Sequence, residues 1–206
     1  MSTPPWMLLR LALDTASHHV AADEDRLAVM DVKTRGEYVT HLARIYGFES
    51  VVEDMIARVS DIDPVILRDR QKTARLRSDL LALGSSSSRI ASLRTLSRAN
   101  IRTPAQALGW LYVLERSTRL AGVIRRHVQH LLGADIAVSY FTSGSETAGA
   151  RFRMFGELLG AYARRYTPSQ IVFAANEAFR AQRLWFRCPV YVHVEDELAT
   201  AAFAEA

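Results

Sequence analysis

Three residue pairs, Asp63–Pro64, Thr103–Pro104 and Thr167–Pro168, constrain this chain more than anything else in it. Each sets a side chain that can accept from a free backbone N–H directly before a proline. Proline's fixed φ suits the first helical position, where its missing N–H leaves no bond unmade. Thr34-x-x-Glu37 is a capping-box pattern that opens YVTHLARIYGFESVVEDMIARV, whose apolar residues return every three or four positions. Gly84 and Gly133 follow LLAL and HLL, where a left-handed residue ends a helix. The pattern predicts helices over 6–22, 35–59, 64–83, 88–98, 104–132, 145–166 and 168–187. Only VYVHV alternates as a strand does, and one strand has no partner within the chain; it reads as a tail over 188–206 or as an edge that pairs in a homo-oligomer. The expected fold is all-α, one domain over 1–206, with about seven helices around a long central one at 104–132.

With 206 residues, 49% of them apolar, the chain can bury a sizeable core. No apolar run reaches the roughly 18 residues that a membrane span needs. PPWMLLRLAL is interrupted by Arg10 and lacks a basic start, unlike a secretory signal. Cys188 is the only cysteine, so no internal disulfide forms, and a cytoplasmic location is expected. The net charge of +4 is nearly all arginine, with lysine only at Lys33 and Lys72. Acids are interleaved with these arginines throughout, which describes a solvated surface, and no nucleic-acid partner is expected.

Residues 14–25 read DTASHHVAADED. Neighbouring helical residues diverge by about 100°, so His18 and His19 cannot hold one ion from the same face. A one-histidine site is better known for haem iron than for zinc, which takes three or four protein ligands. Thr15, His19 and Asp23 share a helix face. A metal-bound imidazole usually gives its second N–H to a carboxylate, a carbonyl or water, and Asp23 is spaced for that part. On spacing alone the same residues also make an ordinary surface pair.

Five segments resemble the haem oxygenase family, in order and spacing: TxxxHxxxD at 15–23, YVTHLARIYGFESVVEDMI, LGWLYVLERSTRLAGVIRRHV, ETAGARFRMF and EAFRAQRLWF. The likeness covers about residues 9–187 and is closest to the bacterial branch. It implies a haem-oxygenase-like bundle that takes haem as both substrate and cofactor. Oxygen and electrons from a ferredoxin or reductase would open the ring to biliverdin, carbon monoxide and iron. By register His19, not His18, matches the proximal ligand of the haem iron, with Asp23 its helical neighbour. Arg151 and Arg153 match basic positions near the haem propionates, and Phe179 and Phe186 match aromatic residues of the pocket. Arg183 faces the same region by periodicity. In the distal helix Ser117 and Thr118 remain to hydrogen-bond a distal water.

The chain departs from the family in that distal helix. Aligned without a gap, the family's glycines fall on Arg116, Leu120 and Ala121, and Gly122 is one position late. Glycine lets a helix backbone approach a porphyrin closely, so these side chains would stand where the haem face or its oxygen would lie. Two classes of function stay open: a divergent haem oxygenase, and a catalytically silent relative that binds haem, another tetrapyrrole or a protein partner.

Overall fold

The computed structural model of the chain describes residues 5–68, 70–97, 99–142, 148–165 and 167–188, and every regular element among them is helical. The helices are α1 (Trp6–Asp14), α2 (Ala16–Leu27), α3 (Arg35–Ala57), α4 (Pro64–Arg68), α5 (Thr73–Ala82), α6 (Ser87–Ala91), α7 (Pro104–Ser117), α8 (Ala121–Leu132), α9 (Ser139–Thr142), α10 (Ala148–Ala163) and α11 (Pro168–Arg187). Taking α7 and α8 as one rod through the 3-10 turn Thr118–Leu120, the longer helices are α1, α2, α3, α5, α7–α8, α10 and α11. This is the all-α bundle that the sequence predicts.

The local signals act as their chemistry requires. The Thr34 hydroxyl accepts from the Glu37 N–H while the Glu37 carboxylate accepts from the Thr34 N–H, closing the capping box of α3. Thr103 and Gln106 make the same box on α7, with Pro104 at the first position. Gly84 and Gly133, after α5 and α8, have φ of +96° and +107°, values that a Cβ would penalise.

Where the expected helices are interrupted, a side chain competes with the backbone. The 6–22 helix breaks at Thr15, whose hydroxyl donates to the Leu11 carbonyl at 2.7 Å, and α2 then runs on to Leu27. The 64–83 helix breaks before α5, because the Glu53 carboxylate accepts from the N–H groups of Lys72 and Thr73 at 2.8 and 3.2 Å. That cap comes from α3, and no local pattern announces it. The 104–132 helix tightens into the 3-10 turn at Thr118–Leu120, where Ser117 and Thr118 donate to the carbonyls of Leu114 and Glu115. The 88–98 helix shrinks to α6, and Leu96 donates its N–H to the Gly47 carbonyl of α3. VYVHV lies outside the described residues.

Helix α11 packs on α1 and α2 and lies along α7. A Cβ at Gly109 of α7 would stand 2.5 Å from the Ile171 carbonyl oxygen, so the two backbones meet where only glycine fits. The helix pair α2 and α7, which matters most below, is thus held in place largely through α11. No helix among the described residues is long and apolar enough to cross a membrane.

Candidate functional site

Thr15 is fully buried at the joint between α1 and α2 and acts as a hydrogen-bond hub. Its one proton goes to the Leu11 carbonyl, which has none to give in return. The hydroxyl's lone pairs are left to accept, and the Nε2 of His19 lies 2.9 Å away. Burial pushes the Tyr112 phenol on α7 above its usual range, with Thr15 working against it. With its proton committed to Leu11, Thr15 takes the N–H of His19 at Nε2, which sets the proton of the neutral ring on that nitrogen.

Burial holds the half-buried His19 below the usual imidazole range, and Arg116 adds to this while Asp23 opposes it. The ring is therefore neutral at pH 7. His18 is lowered too, again chiefly by burial, although Asn176 works the other way. Both imidazoles meet one aromatic ring: each lies 5.6 Å from the buried Phe179, His18 nearly parallel at 12° and His19 tilted at 55°. One phenyl group thus spans the angular divergence of the two neighbouring helical positions.

Four residues beyond His19, Asp23 faces Arg116 of α7. Both arms of the guanidinium engage the carboxylate, Nη1 on Oδ1 and Nη2 on Oδ2 at 2.9 Å. Arg116 thus turns inward across the gap and ties α2 to α7. The carboxylate that the spacing offered to the imidazole is spent on the guanidinium instead.

One turn further along α2, Arg26 enters a buried charge cluster. The Glu49 carboxylate accepts from Arg26 at 2.7 Å and from the Tyr140 hydroxyl at 2.8 Å, with the Lys72 ammonium 3.4 Å from its other oxygen. All four residues are at most 5% exposed. Burial alone would raise the Glu49 carboxyl, yet Lys72 and Arg26 hold it below the usual range. Burial and the Glu49 charge push the Tyr140 phenol up to about 12. Beside this cluster is a void with room for about one water, bordered by Arg26, Lys72, Tyr140, Ser117, Thr118 and Ala121.

The other expected site residues are distributed as follows. Arg151 grips the buried Glu115 with two bonds, at 3.1 and 2.9 Å, so its fork is engaged inside the bundle. Arg153 is exposed on α10. Phe186 is buried away from His19, 6.4 Å from the rings of His41 and Phe48 and under the Arg26 guanidinium. Arg183 is half-buried on α11, its Nε out of solvent without a hydrogen-bond partner. Leu120 packs partly buried against the core. His19, Asp23 and Phe179 therefore come together, whereas Arg151 and Phe186 are engaged elsewhere.

Sequence reasoning missed the charge cluster. Its signal was present: Tyr38, Leu42, Ile45, Glu49, Val52 and Ile56 form one stripe of α3, and Glu49 is an acid inside it. An acid in an apolar stripe needs buried cations, and Lys72 is one of only two lysines in the chain.

This arrangement does not fit a haem. The Nε2 of His19, the nitrogen that would face iron, is hydrogen-bonded to Thr15, and the gap between α2 and α7 is bridged by Asp23 and Arg116. Among the described residues no group of three or more His, Cys, Asp or Glu is placed to hold a metal ion. Compared with protein-family models, curated proteins and solved structures, the chain matches none.

Proposed function

We propose that the chain is a catalytically silent, haem-oxygenase-like bundle that acts by binding and not by opening a porphyrin ring. The observation that carries this is how the side chains beside His19 are engaged: Asp23 and Arg116 join the facing helices, and the Nε2 of His19 is hydrogen-bonded to Thr15. A cofactor slot in a helical bundle is usually largely preformed between facing helices. Here the facing helices are joined by the chain's own side chains. What the protein engages is a protein partner or a small ligand that the closed bundle can accept. The test is aerobic incubation of the purified protein with hemin and ascorbate, or with a ferredoxin and its reductase. The expected result is no biliverdin absorbance; accumulation of biliverdin would overturn the proposal.

A second assignment, haem binding and oxidation as the resemblance implies, is favoured by one observation. Burial keeps His19 neutral, which is the state in which imidazole ligates iron. It requires the ring to leave Thr15 and the guanidinium to leave Asp23. The same incubation separates the two, because only the second gives product, and it then depends on His19.

A further inference from the structure

Helix α1 reads WMLLRLALD, apolar at every position except Arg10 and Asp14. A helix that is apolar all round belongs in an interior. Only one side of α1 is inside: Met7, Leu8 and Leu11 are buried, with Leu8 against Gly156 of α10. On the other side Trp6, Leu9 and Leu13 are 49%, 48% and 67% exposed. We propose that this outer face is an interface between two copies of the chain, packed about a twofold axis with α1 of one protomer on α1 of its partner. The proposal goes beyond the proposed function and does not rest on it.

Positions 6, 9 and 13 follow the three-then-four spacing by which one helix seats on another. Phe173 of α11, 61% exposed, widens the patch. Helix α11 advances alongside α1 and α2, since Arg10 donates to the Ser169 hydroxyl at 2.9 Å and His18 stacks on Phe179. Phe173, one turn past Ser169, is therefore level with Leu13, nearly one turn past Arg10. Four side chains of this size, about half exposed, leave on the order of 500 Å² of apolar surface. That is the upper range for a patch on a monomer, and a large part of the roughly 800 Å² that each partner buries in a standard interface.

The charges at the edge of the patch select a second copy as its occupant. A twofold interface sets one patch against itself, so the patch must carry the complement of each of its own features. Arg10 and Asp14 supply both signs, 3.3 Å apart with side chains 37% and 44% exposed. Across a twofold axis the guanidinium of one protomer faces the carboxylate of its partner, and apolar surface faces apolar surface. A lipid surface calls instead for a basic polar face on the helix, and α1 offers one arginine beside one acid.

The experiment is sedimentation equilibrium of the full chain over a dilution series, with far-UV circular dichroism to show that each variant is folded. The wild-type protein should approach twice the mass of one chain as concentration rises. Leu13→Glu and Phe173→Glu, which place like charges across the axis, should each weaken the dimer by about tenfold or more. Leu131→Glu, at the exposed end of α8, should leave it unchanged. If a glutamate variant does not fold, Leu13→Ser, which adds no charge, answers in its place. A wild-type monomer at every concentration, or a dimer indifferent to both α1 and α11 variants, would overturn the proposal. So would a wild-type monomer that sediments with vesicles of phosphatidylcholine and phosphatidylglycerol and loses this in Leu13→Glu, because the face then serves a membrane.

Discussion

Asp23 and Arg116, 93 positions apart in the chain, are joined by both arms of a guanidinium–carboxylate fork. The pair ties α2 to α7 one turn along from His19. Its position at the rim also limits its strength. A double-mutant cycle on Asp23→Asn and Arg116→Gln should give a coupling of about 1 kcal/mol, smaller in high salt, because one partner stays partly solvated. Thermal or urea unfolding of the four proteins measures it, and a coupling near zero would mean that the fork does not hold α2 to α7.

The buried cluster should be far less forgiving. Glu49→Gln removes the charge that faces both Arg26 and Lys72 and leaves two cations in the interior. The expected loss is about 3–5 kcal/mol, measured by urea unfolding. A loss below about 1 kcal/mol would show that the two cations find other partners.

Stability should fall with acid, and His41 is a main cause. Its Nε2 is out of solvent with no partner, and burial, with Arg26 and Arg44 adding to it, lowers its pKa to about 3. The unfolded chain takes up this proton near pH 6.5 while the folded chain refuses it until about pH 3. The contribution is therefore whole above pH 6.5 and is lost as pH falls toward 3, at a slope approaching about 1.4 kcal/mol per pH unit. His18 and His19, lowered in the same direction, add to it. Melting curves between pH 7 and 4 should drop less steeply for His41→Phe than for the wild-type protein; equal slopes would exclude His41 as a source.

Two glycines should respond in opposite ways. Gly109→Val forces a side chain into the Ile171 carbonyl and the Ala175 N–H, and should cost about 1–3 kcal/mol or more. Gly149→Ala, on α10 with no atom within 4 Å of the new Cβ, should be neutral or stabilise by up to about 1 kcal/mol. Equal effects in denaturant would mean that α7 and α11 can separate at little cost.

The helix starts were legible in the sequence because capping is local: Thr34 with Glu37, and Thr103 with Pro104 and Gln106, carry their partners within four residues. The breaks were not, because their causes lie elsewhere in the chain. Glu53, nearly twenty positions upstream, caps α5, and Thr15 turns the chain through a hydroxyl that also looks helical in pattern. Within the site, the shared face of Thr15, His19 and Asp23 followed from helical period alone. The use of that face did not. Asp23 sits one turn from His19, but its partner comes from α7, and no spacing rule pairs residues so far apart.

The most direct test of the closed slot is the protonation of His19 itself, read from the imidazole nitrogen shifts and couplings in an NMR spectrum of the labelled protein at pH 7. The account expects a neutral ring with its proton on Nε2, held by Thr15, and unchanged when hemin is added. A ring protonated on Nδ1, with Nε2 free and its signals shifted or broadened by hemin, would contradict it.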